Sequence, residues 1–166
     1  MTDDIYERIK DGYIGLFESG KEIRVSALCE SIDITMSEFY QCYHDIVDLG
    51  NQLQRDEIRE MSKRIESSMP EGFDVNIYID VGLESMKEHS VRFNFFIETL
   101  KDSGFIDQWS KSLVKMLKKR YGSEDVLSLN MVSFAIIRGM IDAFQNDVDG
   151  DHKHLKFLAS EMVGIF

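Results

Sequence analysis

Proline is almost missing from these 166 residues; Pro70 is the only one. With so few built-in stops and many good helix formers, the chain favours an all-helical fold. Cysteine is nearly as scarce. Cys29 and Cys42 are too few for a disulfide-stapled scaffold and suit a reducing compartment. Cations are outnumbered, with 19 Lys and Arg against 30 Asp and Glu, a formal net charge of −11. That balance argues against a general nucleic-acid binder, which is usually basic. No run approaches the roughly 20 apolar residues of a membrane span, and the acidic N-terminus is unlike a signal peptide. The chain is therefore expected to stay in the cytoplasm, away from membranes. No Gly-rich phosphate loop, zinc-ligand spacing or nucleophile–base pair is found, so nothing reads as an enzyme and no metal or cofactor is expected. His152 and His154, two apart on a helix, do not share a face.

What is present is helical periodicity. A hydrophobic fraction of 43% supports a real core, and a charged fraction of 30% supports a solvated surface. Ile5, Ile9, Tyr13, Leu16 and Phe17 form the inner face of a first helix from about Asp3 to Ser19, with Gly20 as its C-cap. Residues 45 to 68 read as one long helix with Leu49, Leu53, Met61 and Ile65 in register, ended by Pro70 and Gly72. Further helices are expected over Ile77 to Glu88, Val91 to Lys101, Phe105 to Tyr121, Val126 to Asp147 and 152 to 166. Turns are expected at Gly104, at Gly122-Ser123 and at Asp149-Gly150-Asp151.

The stretch from Ile23 to Leu49 is the most specific. Val25, Leu28, Cys29 and Ile32 line one face of a short helix, and the turn Asp33-Ile34 follows. Thr35 and Glu38 have capping-box spacing and open a second short helix. Its Phe39 and Tyr43 point together and are expected to pack on Leu28 and Ile32. Two short helices joined by a tight turn read as a helix-turn-helix.

This segment resembles the N-terminal DNA-binding domain of TetR-family transcriptional repressors. The resemblance rests on the turn Ile32-Asp33-Ile34-Thr35, the aromatic pair Tyr40 and Tyr43, and the closing Leu49. The upstream run Gly12 to Gly20 matches the family's first helix and its terminal glycine. The sequence departs from the pattern at Asp33, Ser37 and Ile46, where the family has two glycines and a phosphate-contacting lysine. The resemblance implies a three-helix head over residues 1–49 and a helical ligand-binding and dimerisation body over 50–166. It further implies a homodimer that binds operator DNA and releases it on binding a ligand.

On that resemblance, Thr35, Ser37, Tyr40, Gln41 and His44 occupy groove-facing and phosphate-contacting positions. Gln41 suits an adenine edge, and Arg24 is the nearby cation for a phosphate. Against this stands charge: residues 1 to 53 hold four Lys and Arg against eleven Asp and Glu, a net of −7. Phosphate neutralisation supplies much of protein–DNA affinity. The rival reading is therefore the same fold used as a protein-interaction module, with an acidic head that has lost DNA binding.

In the body, Tyr78, Met86, Phe93, Phe96, Trp109, Met131 and Phe134 are soft or aromatic side chains suited to lining a cavity for a small apolar or amphipathic ligand. His89 and Arg138 are its expected polar anchors; Arg138 interrupts an apolar helix and, if buried, must be paired. The bland alternative is that these residues are simply core. The last two helices are apolar on more faces than one core requires. The resemblance makes them a four-helix dimer interface, with Ile137, Ile141, Phe144, Phe157 and Met162 as candidates. Lys111, Lys115 and Lys119 share one helical face and read as solvated. The cysteines are read as inert rather than as a redox pair.

Overall fold

The computed structural model describes residues 2–98, 104–146 and 152–166. The turn expected at Asp149-Gly150-Asp151 and the end of the Val91 to Lys101 helix lie outside them. Among the described residues there are nine helices and no strand: α1 Thr2–Glu18, α2 Val25–Ile32, α3 Met36–Cys42, α4 Ile46–Ser67, α5 Val75–Glu88, α6 Ser90–Glu98, α7 Phe105–Tyr121, α8 Val126–Gln145 and α9 Lys153–Val163. The all-α expectation holds.

Three helices make the head. Ile9, Tyr13 and Leu16 of α1 are buried against Leu28, Cys29 and Phe39. Gly12 lets α1 and α2 touch, because a Cβ there would lie 2.4 Å from Ile32 Cγ2 and 2.9 Å from Leu28 Cδ1. Arg8 donates to the Ile32 carbonyl at 2.6 Å, closing the end of α2. Asp33 then takes the left-handed conformation at φ 53°, a position Asp tolerates better than most residues.

α4 runs without interruption through the boundary expected at residue 49, so head and body share one helix. Leu49, Leu53, Ile58, Met61 and Ile65 form its buried stripe. Buried Glu57 on the same helix is held by His89 Nδ1 at the end of α5 and by Arg92 of α6 at 3.2 Å. Such a carboxylate is tolerable inside a protein only because it is paired. Ser62 and Ser112 share a hydrogen bond of 2.8 Å, tying α4 to α7. A second link joins head to body: Tyr13 of α1 meets Phe95 of α6 edge-on at 5.3 Å, and Phe17 packs on the same ring at a tilt at 4.5 Å.

The body's core is aromatic. Phe93, Phe96, Phe105 and Trp109 pack ring against ring at 5.3 to 6.3 Å. Trp109 Nε1 donates to Tyr78 Oη at 3.0 Å, satisfying both polar atoms away from water. Burial pushes the Tyr78 phenol well above its ordinary pKa.

Against the expectation that no run nears a membrane span, α8 is long and apolar enough to cross one by length and composition alone. Its placement gives another reason for that composition. Leu129, Val132, Ile136, Ile137, Met140 and Ile141 are buried among the other helices. The face opposite carries Leu127 at 70%, Met131 at 64% and Phe134 at 49% exposure, beside Phe157 at 64% and Leu158 at 57% on α9.

Candidate nucleic-acid interface

α3 is short, and its orientation depends on how its ends are fixed. Thr35 is the N-cap: its Oγ1 accepts from the Glu38 N–H at 3.2 Å, and its own N–H donates to Glu38 Oε2 at 2.7 Å. The Thr35 hydroxyl also donates to the same oxygen at 2.8 Å. This is the expected capping box, closed on both sides. These bonds, the Thr35 backbone N–H first, hold the Glu38 carboxyl below its ordinary pKa. Phe39 and Tyr43 point inward and are buried, stacking 5.9 Å apart. Asp45 caps α4 through the Asp48 N–H at 2.7 Å, and Asp48 accepts from the His44 N–H at 3.0 Å.

With Phe39 and Tyr43 turned in, the rest of α3 faces out. Ser37, Tyr40, Gln41 and His44 are exposed, and Tyr40 stands edge-on against Phe39 at 5.5 Å. Among the described residues, none of these four side chains spends its polar atoms on a hydrogen bond within the protein. Thr35 is also exposed, but its hydroxyl is committed to the cap. Arg24 lies outside this surface in charge terms: it pairs with Glu22 at 3.1 Å, both well exposed. Sequence reasoning passed over Met36, which is 47% exposed in the first turn. The signal was there, since Met36 and Tyr40 are four apart on one helical face. A methionine there suits apolar contact with a thymine methyl.

The electrostatic result is specific. The head is acidic overall, yet the one acid on α3, Glu38, is bent back onto its own helix start. Asp45 and Asp48 are likewise turned onto backbone N–H groups. Beside the tied-back Glu38, the outward surface of α3 offers hydroxyls, an amide, a phenol and a thioether, with the His44 imidazole just past its end.

The body's expected sites come out differently. Tyr78, Met86, Phe93, Phe96 and Trp109 are all buried in the core, and Phe96 also lines an open cleft of about 360 Å³ together with Arg138. Met131 and Phe134 do not join them; half a turn away from the buried stripe of α8, both face solvent. Arg138 is not a buried anchor. Its side chain is 51% exposed and pairs with Asp142 at 3.1 Å, one turn along α8. His89 is committed to Glu57.

Two of the interface candidates are also corrected. Ile137 and Ile141 are fully buried within the protomer, because the helical period carries them round to the inner face of α8. Phe144 is half-buried and packs on Phe93 at 6.4 Å, and Met162 is half-buried. Phe157 does face out, as do Leu127, Met131, Phe134 and Leu158.

No family profile matches the chain, and no curated protein matches it in sequence. Solved structures do match along nearly its whole length. The TetR family repressor AlkX from Dietzia sp. strain DQ12-45-1b, implicated in biodegradation of n-alkanes, superposes with a TM-score of 0.59 at 11% identity, covering 96% of this chain and 94% of that one. The fatty acid degradation regulator FadR from Bacillus halodurans superposes with a TM-score of 0.62 at 15% identity, covering 96% and 93%. The likeness is one of fold. This chain shares the fold of these two proteins through head and body together.

Proposed function

We propose that the chain is a DNA-binding transcriptional regulator, a repressor that grips operator DNA as a homodimer and responds to a small apolar or amphipathic ligand. The observation that carries this reading is the α3 surface: Ser37, Tyr40 and Gln41 stand exposed with no internal hydrogen bond among the described residues, and the one acid of the helix, Glu38, is tied back onto the helix start, within a head of net charge −7. Ser37, Tyr40 and His44 suit phosphates, while Gln41 and Met36 suit base edges.

A single seven-residue helix is a weak reader alone, so two heads are required. The exposed apolar stripe of α8 and α9 supplies the means of pairing. Two copies joined there need their α3 helices about 34–36 Å apart to enter successive major grooves. α4 connects the two functions, since its first turn abuts the head while Glu57 and Ser62 anchor it in the body. A shift of that anchorage would change the spacing of the two heads.

The test is a gel shift with DNA from upstream of the chain's own gene, at low and then moderate salt. Binding that survives a modest rise in salt and disappears with Tyr40→Ala or Gln41→Ala is the expected result. An intact dimer that fails to shift DNA even at low salt would replace this reading with the other one, an acidic head that docks on a basic protein partner.

A further inference from the structure

The body's interior is filled by rings, but a cleft of about 440 Å³ opens at the end of α4 far from the head, beside α7 and the turn into α5. One side of its wall is apolar. Met69 and Met116 are each 8% exposed, and Pro70 and Phe73 complete the lining. Methionine pairs of this kind mould themselves to varied apolar shapes.

The rim is cationic. Lys119 and Arg120 line it, with Glu66 as the one acid. Most cations along α4 and α7 already have a carboxylate: Arg59 has Asp56, Lys63 has Glu60, Lys111 has Asp107, and Lys118 has Glu124. Among the described residues, Arg55 and Lys115 have none, and Lys119 and Arg120 likewise have none. The dipole of α7 favours cations in its last turn, which accounts for their presence. It does not account for the direction Arg120 takes. That side chain lies across the backbone of Gly72, where an added Cβ would sit 3.4 Å from Nη1 and 3.9 Å from Cδ. Gly72 is at φ +109°, a conformation nearly reserved to glycine, so the chain passes under the guanidinium with nothing between.

We propose that this cleft binds an amphipathic anion, with Arg120 and Lys119 on its carboxylate or phosphate head and Met69, Phe73 and Met116 around its apolar part. The planar guanidinium fork matches either head group, and the volume falls within the range of about 300–1,000 Å³ usual for ligand sites. The consequence for regulation rests on the function proposed above. A ligand clamped between the last turn of α4 and α7 would bear on the helix whose other end abuts α3. The same head group is available from a free amphiphile or from a lipid in a bilayer, and the two are separable.

The experiment is calorimetric titration of the full chain with decanoate, decyl phosphate and decanol, each below its aggregation concentration. Flotation with vesicles of phosphatidylglycerol and phosphatidylcholine runs in parallel. Saturable binding of an anion, one per chain, with decanol at least about tenfold weaker, is the expected outcome. Arg120→Gln should lower anion affinity by about ten- to a hundredfold, the usual worth of a hydrogen bond to a charged group. Its melting temperature should stay unchanged, because Arg120 is exposed. Gly72→Ala should weaken binding too. If binding is seen only on vesicles and is lost with Arg120→Gln, the anion is a lipid head group. The proposal is overturned if decanol binds as well as decanoate, if Arg120→Gln changes nothing, or if neither probe nor vesicle binds. A chain that shifts DNA yet binds none of these keeps its DNA role and loses this site; one that binds decanoate through Arg120 and shifts no DNA does the reverse.

Discussion

Two faces of this protein stand open to water, and they are opposite in kind. The outer face of α3 offers hydroxyls, an amide, an imidazole and a phenol, all of which water solvates well. The outer face of α8 and α9 offers Leu127, Met131, Phe134, Phe157 and Leu158, which water does not. Leaving apolar surface wet costs about 25 cal/mol per Å². Where such residues gather into one large patch, they mark an interaction site. On the function proposed above, the head needs only its target, while the outer stripe of the body is the surface a second copy would cover. The inner face of α8 already satisfies the protomer's own core, so the outer stripe is surplus to folding.

The contrast can be broken most forcefully on the body. Leu127→Glu with Met131→Glu should convert the assembly to a folded single chain of 19.2 kDa, read by light scattering, with helical circular dichroism retained. DNA binding should fall with it. On the opposite face of the same helix, Ile137→Ala should leave assembly intact but cost the protomer about 2–5 kcal/mol in urea unfolding, through the cavity it leaves. Exchange of these two outcomes would mean that the faces of α8 have been assigned the wrong way round.

How far these faces were legible beforehand differs between them. The head was readable almost residue by residue. Capping chemistry at Thr35 and Glu38 is local, and so is the inward pair Phe39 and Tyr43, four apart on a helix. The body was readable as helices but not as faces. α8 is apolar on nearly every side, so periodicity alone did not separate Ile137 and Ile141, which point in, from Met131 and Phe134, which point out. The aromatic residues raised a further ambiguity. Phe93, Phe96 and Trp109 are equally suited to lining a cavity and to filling one, and only their mutual packing decides for filling. The cleft at Gly72 was out of reach, since Arg120 and Gly72 lie far apart in sequence and meet through the parallel run of α4 and α7.

Smaller effects sharpen the account of the head. Gln41→Ala should reduce DNA affinity by about 1–3 kcal/mol while leaving the thermal melt unchanged, a separation expected only of a residue that serves the target and not the fold. Thr35→Ala should do the converse in part, costing about 1 kcal/mol of stability through the lost cap. DNA binding should weaken with it, as α3 loses its fixed start.

The smallest effect concerns acid. Glu38, Glu88 and Asp125 all have lowered pKa values in the folded protein, held down respectively by the Thr35 backbone N–H, the Arg64 guanidinium and the Ser128 hydroxyl. A carboxyl depressed on folding contributes stability above its unfolded pKa and loses it as pH falls through the folded value. Melting temperature should therefore hold level on this account from neutrality down to about pH 4, the ordinary carboxylate range, and decline below it. Glu38→Gln should make that decline shallower.

The claim beneath all of this is that the two faces act together, the apolar one bringing two copies of the polar one to the same DNA. Fluorescence anisotropy of labelled upstream DNA, titrated with the unaltered chain and with Met131→Glu, tests it directly. The unaltered chain should bind as a dimer, and the variant, folded but single, should bind at least about a hundredfold more weakly, the effective-concentration advantage of linked heads. Equal binding by the two chains, or an unaltered chain that is single in solution, would contradict the account.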